Sequence, residues 1–364
     1  TEVVVKNGTI SIAEAAFRET EVTSVSLPDT LTYIGKDAFN RCASLVTVNI
    51  PSSVNEIGTS AFTGCSALTS VSFNAEIIGA SAFSSCDKLT TVNIGHRLKE
   101  IGDNAFKYTP VTEISLPTGV ESIGAEAFGS SNITGALSIP GTVAAIGKGA
   151  FYNNPLMTSL TIGEGLKSIG SEAFNKCSAL ESVVLPSSIE SMGEKVFKDT
   201  AWLAAQTDVA PIYIGSVLYS YKSTTDKGTE LRIKDGTKVI AKGAFTISGY
   251  ADFNSLYIPA SVVRIEEGAF RYRSLLTHIT VDTNNSVYYS ANNCVIEKAT
   301  KTLVLGCRNS IIPNDGTVTK IGKYAFDGTG PDKMVLPDSV ETIDEYAFRE
   351  SLIKNFVSGS GLRT

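Results

Sequence analysis

The sequence predicts a repeat solenoid of the α/β type, with one long parallel sheet on one face and short helical turns on the other. Three observations support this fold class. The dipeptide Ala-Phe returns at a nearly constant spacing, apolar and polar residues alternate in a short run after each leucine, and Pro or Gly ends most of these runs. A chain of 364 residues would suggest two or three domains by length alone. A repeat array has no such limit, because each unit packs only on its neighbours.

The period comes from the position of the repeated phenylalanine. From Phe17 to Phe197, eight steps cover 180 residues, which gives 22.5 residues per step. This period falls in the range of leucine-rich repeats, about 20–29 residues. The motif occurs thirteen times, once with Val in place of Ala, and its phenylalanines are Phe17, Phe39, Phe62, Phe83, Phe106, Phe128, Phe151, Phe174, Phe197, Phe245, Phe270, Phe326 and Phe348.

One unit illustrates the predicted strand. Leu45, Val48 and Ile50 follow the L-x-x-L-x-L spacing of leucine-rich repeats. Val48 and Ile50 alternate with the polar residues Thr47 and Asn49, so one side of the strand points inward. Pro51 ends the strand because proline cannot donate to a ladder. The outward positions of such strands in residues 1–200 are nearly all small and uncharged, as in Thr47.

The second half of the same unit predicts the opposite face. After Gly58, residues 59–62 read as an N-capped helical turn that inserts Phe62 into the core. Cys65 follows three residues later and is expected to point inward as well. No unit of this length can bury its own apolar side, so we expect stacked units to share one continuous core.

Two gaps interrupt the period, from Phe197 to Phe245 and from Phe270 to Phe326. The first contains Gly215-Ser216 between alternating apolar runs, which predicts a hairpin. The second places residues 298–301 between two apolar runs and also predicts a hairpin. We therefore expect a single solenoid over residues 1–364. Its regular repeats span 1–200, its irregular coils lie at about 200–243 and 282–318, and its repeats resume at 244–281 and 319–364.

Composition narrows the function classes. The net charge is −6 without any basic block, which argues against nucleic acid and against an anionic membrane surface. Hydrolase, metalloprotease and nucleotide-binding signatures are missing, and His96 and His278 are the two histidines. We expect no enzyme activity, no catalytic residue, no cofactor, no resident metal, and no membrane insertion by this segment. The chain starts at Thr1 without Met, so we expect that any targeting segment has been removed, and its absence is no evidence for a cytosolic location.

The motif Ile-Gly-x-x-Ala-Phe-x-x-Cys at residues 57–65 resembles the BspA-type leucine-rich repeats of surface proteins from gut and oral bacteria. The same pattern includes an apolar-Pro pair before each turn, at Leu27-Pro28, Leu116-Pro117, Leu185-Pro186, Ile258-Pro259 and Leu336-Pro337. The resemblance covers nearly the whole chain. It implies an extracellular, cell-surface protein that adheres to host matrix proteins, glycans or other bacteria.

The cysteines have two interpretations. Four of them follow a repeat phenylalanine by three residues and are interpreted as buried small hydrophobes rather than a metal or redox site: Cys42, Cys65, Cys86 and Cys177. Cys294 and Cys307 flank the second hairpin and could form a disulfide in a surface protein. Reduced apolar cysteines are the alternative, and the default for hairpins of this family type.

The candidate ligand-binding residues lie in the C-terminal half, where the outward positions of the strands become large. Aromatic and arginine side chains are the usual anchors of interfaces. They are Arg232, Tyr257 and His278 on the predicted sheet face, with Tyr219, Tyr221, Tyr288 and Tyr289 in the irregular coils. Small Ser and Thr side chains elsewhere on this face are explained by solubility and cross-strand hydrogen bonding.

The loop at residues 282–286, with Asn292 and Asn293, offers oxygen ligands of the kind that calcium prefers. It has a single carboxylate and no EF-hand spacing, so a turn rich in Asn and Ser is the alternative that we favour. The sequence as a whole predicts a monomeric adhesion or protein-binding module whose partner is a protein or glycan on a host or another bacterium. An architectural spacer without a ligand is the second hypothesis.

Overall fold

A computed structural model describes residues 1–206, 211–221, 230–245 and 253–363. It is a β-solenoid of stacked parallel coils with almost no helix. The chain divides into two compact units. Unit 1 comprises Thr1–Ile189 and Lys195–Gln206, and unit 2 comprises Glu190–Glu194 and Thr207–Thr364. The expectation of one uninterrupted solenoid over the whole chain stays a prediction.

Unit 1 carries one strand type on each side of its coils. The strands of the sheet face pair in parallel as a five-stranded and a three-stranded sheet: Glu2–Val4, Ser24–Ser26, Thr47–Asn49, Ser70–Phe73 and Thr91–Ile94, then Gly135–Ile139, Met157–Ile162 and Ser182–Val184. The short strands of the other side have two residues each and also pair in parallel: Ser11–Ile12, Tyr33–Ile34, Glu56–Ile57, Ile77–Ile78, Glu100–Ile101, Ser122–Ile123, Ala145–Ile146 and Ser168–Ile169.

The predicted single long sheet is wrong for unit 1, because its sheet face is split. Residues 112–116 form no strand between Thr91–Ile94 and Gly135–Ile139. This segment follows Pro110, which has no N–H for a ladder. The next strand begins with an irregularity, since its register against Met157–Ile162 shifts after Gly135.

The repeated phenylalanines form one stacked column through unit 1. The rings of consecutive coils from Phe17 to Phe197 lie 5.0–5.5 Å apart between centroids and at most 9° from parallel. From Phe39 onward these rings are fully buried. Each ring therefore packs against its counterparts in the coils before and after it, and no coil has a complete core of its own.

The predicted helical turns at the Ala-Phe motifs are wrong. The Ala61 N–H donates to Gly58 O within the turn, but the Phe62 N–H donates to Ala82 O of the next coil at 2.8 Å. Ser60 has a φ of 56°, a left-handed conformation that a helix does not contain. Successive N–H groups thus alternate between their own coil and the neighbouring one. Across the described residues the one helix is Ala201–Ala204, capped by Thr200.

The glycine after every short strand of unit 1 except Ser11–Ile12 lets neighbouring coils approach closely. A Cβ at Gly58 would lie 2.8 Å from the backbone carbon of Gly35, and one at Gly102 would lie 2.6 Å from the Ala80 nitrogen. Both distances are shorter than real Cβ contacts. In unit 2 the equivalent position holds Gly193, Ala241, Glu266, Gly322 or Asp344, so glycine is less regular there than in unit 1.

Unit 2 contains both parallel and antiparallel strands. Its face strands are Glu230–Arg232, Ser255–Ile258 and His278–Val281 in one parallel sheet, and Lys333–Val335 with Asn355–Val357 in another. On the other side, Pro211–Ile214 pairs antiparallel with Val217–Tyr221 around Gly215 and Ser216. That sheet continues in parallel with Val239–Ile240 and Arg264–Ile265. Ser191–Met192 is a further two-residue strand of this unit.

The second irregular coil is an antiparallel meander. Tyr288–Ala291 pairs with Cys294–Glu297, which pairs with Thr302–Leu305. The last of these continues in parallel with Lys320–Ile321 and then Thr342–Ile343. Parts of the first predicted irregular coil, residues 207–210 and 222–229, and part of the repeat that resumes there, residues 246–252, lie outside the described residues.

Candidate functional site

Three of the predicted binding residues share one sheet face of unit 2. In its three-stranded parallel sheet, Arg232 is in register with Tyr257 on the next strand. His278 begins the third strand, in register with Ser255. All three side chains lie on the outer side because Leu256 and Ile279, which alternate with them, are buried. We call this surface, formed by Arg232, Tyr257, His278 and Asp282, the sheet-face patch.

The centre of the sheet-face patch is an ordered stack. The Arg232 guanidinium lies 3.9 Å from the centroid of the Tyr257 ring, and it also contacts the Glu230 carboxylate at 3.3 Å. The Tyr257 hydroxyl donates to Asp282 Oδ2 at 2.5 Å. Arginine on a tyrosine face is a favourable cation–π pair, so the aromatic ring is held on both its face and its edge.

The hydrogen bond between Tyr257 and Asp282 changes the acidity of both groups. It raises the pKa of the Tyr257 hydroxyl, because the phenol would lose its acceptor and face a carboxylate if it ionised. It lowers the pKa of the Asp282 carboxyl, which also accepts from the Asn284 backbone N–H at 2.8 Å. At neutral pH the patch therefore presents a neutral phenol between a carboxylate and a guanidinium.

His278 lies at the other end of the third strand. Its side chain is exposed, and its Nδ1 is 2.9 Å from the hydroxyl of Thr277. The imidazole thus extends the patch along the strand direction without contacting the Arg232 stack. It adds a planar ring that a partner could contact.

Tyr219, Tyr221 and Tyr288 were predicted to bind a ligand, and the structure places all three in the core of unit 2. Their exposed fractions are 0%, 4% and 3%. Val217–Tyr221 is buried along its whole length, so alternation along this strand does not bring residues to the surface. Tyr288 points inward, and its hydroxyl accepts the Ile265 N–H at 3.0 Å. Tyr289 is half-buried and packs against the hydrophobic cluster around Phe326.

Cys294 and Cys307 are free, buried thiols, so the disulfide considered from the sequence is not formed in the structure. Each thiol lies beside a backbone carbonyl instead: Cys294 Sγ is 3.7 Å from Ile311 O, and Cys307 Sγ is 3.7 Å from Asn293 O. Cys294 packs with Ile296 and the strand after it, whereas Cys307 belongs to the cluster that contains Leu276. Burial raises the pKa of Cys294 to about 12, so this thiol stays protonated at neutral pH.

The loop at residues 282–286 satisfies its own polar groups. The buried Asn285 amide donates to Pro259 O and Val262 O and accepts from the N–H groups of Val287 and Tyr288. This is the bonding of a structural turn. Within the described ranges, no three His, Cys, Asp or Glu side chains converge as a metal site.

A second aromatic surface was missed by the sequence reasoning. We call it the tyrosine–arginine cluster, and its members are Arg271, Tyr272, Tyr324, Asp327, Tyr346 and Arg349. Tyr324 and Tyr346 stack with ring centroids 5.3 Å apart, and Tyr346 is 52% exposed. Arg271 lies 4.9 Å from the Tyr324 ring. The cluster therefore alternates cationic and aromatic groups along the turns of unit 2.

Asp327 holds the tyrosine–arginine cluster together. Its carboxylate has no exposed surface and binds Arg271 at 2.7 Å and Arg349 at 3.2 Å. The hydrogen bond to Asp327 raises the pKa of Arg349. The signal in the sequence was the residue two positions before the repeat phenylalanine, which is Tyr324 and Tyr346 here and is never aromatic in unit 1.

The sheet face of unit 1 differs from that of unit 2. Its outward side chains are small and polar, among them Thr47, Asn49, Ser72, Thr91 and Asn93. They bond to one another rather than presenting anchors, as where the Asn93 amide donates to the Ser72 hydroxyl at 3.1 Å. Across the part of the chain that the structure describes, no helix is long and apolar enough to cross a bilayer.

Comparison with known proteins identifies the repeat. A model of the BspA type leucine-rich repeat region matches residues 1–112, 99–225, 212–315 and 304–364. A leucine-rich repeat protein from T. pallidum is 30% identical, over 43% of this chain and 76% of that one, with a TM-score of 0.40. No curated protein sequence matches the chain.

Two further solved structures cover almost all of the chain. A leucine-rich repeat protein from Bacteroides ovatus is 22% identical over 100% of this chain and 82% of that one, with a TM-score of 0.46. A leucine-rich cell surface protein from Faecalibacterium prausnitzii is 24% identical over 98% and 87%, with a TM-score of 0.43. The match of the repeat model from residue 1 to residue 364 assigns the family. The chain belongs to the BspA-type leucine-rich repeat proteins.

Proposed function

We propose that this chain is an extracellular recognition module that binds a protein or glycan through the sheet-face patch of unit 2. One observation carries the proposal: the Arg232–Tyr257–Asp282 stack is ordered before any partner arrives. A preordered aromatic ring loses little conformational freedom on binding, so more of its contact energy appears as affinity. Tyrosine and arginine are also the residues most enriched among interface anchors.

Family membership supports a role in interaction rather than catalysis, because leucine-rich repeats build extended surfaces instead of deep reaction sites. The F. prausnitzii relative is described as a cell surface protein, which agrees with an extracellular location for this chain. Host matrix proteins, glycans and surface proteins of other bacteria are the partner classes that we propose to test.

The experiment is a binding screen of the full chain against host matrix proteins and a glycan array at physiological salt. The variant Arg232→Ala/Tyr257→Ala/His278→Ala is compared with Asn49→Ala/Ser72→Ala/Thr91→Ala, which changes the equivalent positions on three successive strands of unit 1. Loss of binding in the first variant alone supports the proposal. Equal affinity of both variants and the wild type contradicts it.

An architectural spacer is the second candidate. The observation that favours it is the uniform sheet face of unit 1, whose small hydroxyl and amide groups provide few anchors. A spacer predicts that the wild-type chain binds nothing in the screen. It also predicts that the triple substitution in unit 2 leaves every measured property except local stability unchanged.

A further inference from the structure

The row of short strands in unit 2 is interrupted at one point, and a cleft opens there. Arg264–Ile265 is the last strand of its four-stranded sheet. The next strand of the solenoid, Lys320–Ile321, pairs instead with Thr302–Leu305 of the meander. The cleft has a volume of about 360 Å³ and is lined by Ile265, Gly268, Phe270, Glu297, Thr300 and Tyr324, among others.

The regular coils of unit 1 show what normally occupies this place. Ile146 O accepts the N–H of Gly170 from the next coil, and the Gly149 N–H donates to Ser171 O, both at 2.8 Å. The Phe151 N–H likewise donates to the following coil. Each coil thus offers one acceptor and two donors in a fixed order to the backbone that stacks on it.

The equivalent groups in the cleft are Ile265 O and the N–H groups of Gly268 and Phe270. Among the described residues none of the three has a hydrogen-bond partner. The meander supplies one substitute contact nearby, since the Ile265 N–H donates to the Tyr288 hydroxyl at 3.0 Å. Unpaired strand groups of this kind are a template for another extended backbone.

The charges around the cleft favour a cationic side chain in that backbone. Lys320 is paired with Asp344 at 2.9 Å, and Lys323 with Glu345 at 3.0 Å. The Glu297 carboxylate accepts the Thr300 hydroxyl at 2.5 Å and has no cationic partner among the described residues. A bound Lys or Arg side chain would neutralise it.

We propose that this cleft binds a short extended peptide segment carrying a Lys or Arg side chain. The segment takes the place of the missing coil: its N–H groups donate to Ile265 O, and its carbonyls accept from Gly268 and Phe270. The volume of the cleft, about 360 Å³, agrees with this occupant, because sites for small ligands measure about 300–1,000 Å³. The cleft lies on the short-strand side of unit 2, so this site is separate from the sheet-face patch.

The test uses a peptide that already makes two of these three bonds elsewhere in the fold, from the Gly170 N–H to Ile146 O and from the Gly149 N–H to Ser171 O. It has the sequence of residues 166–171, Leu-Lys-Ser-Ile-Gly-Ser, with acetylated and amidated ends. We expect the peptide at millimolar concentration to slow hydrogen exchange in residues 263–270 of the full chain. The protection of residues 1–206 against hydrogen exchange should not change. Unaltered exchange in residues 263–270 would overturn the proposal.

Two matched controls separate backbone pairing from charge. Methylation of the glycine nitrogen of the peptide removes the donor for Ile265 O and should weaken binding roughly 3- to 10-fold. Glu297→Gln should weaken it roughly 2- to 5-fold, whereas Glu121→Gln in unit 1 should have no effect. Equal affinity of the methylated and unmethylated peptides would show that the strand groups are not the site.

Discussion

The position three residues after the repeat phenylalanine carries Cys, Thr, Ser or Asn in every repeat except that of Phe270, which has Arg273. In several coils one hydrogen bond accounts for this choice. The Cys65 thiol donates to Phe39 O at 3.2 Å, and the Asn154 amide donates to Phe128 O at 2.9 Å. These two side chains each pair a buried carbonyl of the preceding coil, whereas the Thr109 hydroxyl donates to Phe106 O of its own coil. The sequence correctly suggested a buried column at this position, but it gave no sign that the thiols act as donors.

Cys86 provides a test of that buried column. Burial raises the pKa of the Cys86 thiol to about 12, from about 9 for an exposed thiol. A raised folded-state pKa stabilises the fold fully below pH 9 and progressively less between pH 9 and 12, because the unfolded thiol ionises first. We expect the wild type to lose up to about 1.4 kcal/mol per pH unit in this window from this thiol.

The measurement is urea denaturation of the wild type and Cys86→Ala between pH 7.5 and pH 10.5. The variant should be less stable by about 1–3 kcal/mol at pH 7.5, because Phe62 O loses its donor. The difference should shrink above pH 9, where only the wild type loses this thiol's contribution. Stability curves that stay parallel up to pH 10.5 would contradict the assignment.

The glycines after the short strands of unit 1 make the second residue-scale prediction. Gly102→Ala places a Cβ 2.6 Å from the Ala80 nitrogen, so the two coils must separate. We expect a loss of about 1–3 kcal/mol in the free energy of unfolding. Gly119→Ala is the control, since its nearest contact is Leu98 O at 3.3 Å. Similar losses in both variants would argue against close coil contact at Gly102.

At the scale of the element, the Ala-Phe turn shows where sequence reasoning ends. Gly58 and Phe62 predicted a buried turn with the correct residues inward, and this part is confirmed by their burial. The helical geometry was wrong because the pattern does not tell whether the Phe62 N–H donates within the turn or to the next coil. Both arrangements bury the same side chains, so composition and spacing are identical for the two.

The candidate sites, too, could be predicted from the sequence only in part. Alternation along regular strands placed Arg232, Tyr257 and His278 on one face, because each of these strands is covered on one side only. The same rule failed for Tyr219, whose strand is buried along its whole length, and for Tyr288, whose side chain is buried in an otherwise half-buried strand. In the tyrosine–arginine cluster, the shared repeat position could have predicted the Tyr324–Tyr346 stack. The contact of Tyr272 with Arg349 could not be predicted, since the irregular second gap separates them in the sequence.

Asp327 carries the element-scale prediction. Asp327→Asn removes the charge that two arginines share inside unit 2, and breaking such a buried pair costs about 3–5 kcal/mol. The control is Asp332→Asn, whose solvent-exposed pair with Lys354 should leave the free energy of unfolding nearly unchanged. Urea denaturation, monitored by hydrogen exchange of residues 253–363, measures the loss of stability in both variants. An equal, small effect of the two variants would exclude Asp327 as the organiser of the cluster.

At the scale of the whole molecule, stability is a sum of contacts between neighbouring coils. Phe106 illustrates this, because its ring lies 5.3 Å from Phe83 and 5.2 Å from Phe128 and contacts no repeat ring beyond them. In such an array each coil is stabilised by its own residues and by the two interfaces that it shares. Damage to one coil should therefore spread only to the coils on either side.

Phe106→Ala tests this locality. Removal of a fully buried ring should cost about 3–5 kcal/mol and accelerate native-state hydrogen exchange most strongly in residues 83–128. The acceleration should fall with each further coil, and residues 253–363 should keep their protection. Tyr108→Ala, on the same coil but 55% exposed, is the control and should leave the exchange pattern unchanged. Uniform loss of protection in both units would contradict this locality. It would mean that the chain unfolds as one cooperative body, which would favour the single solenoid predicted from the sequence.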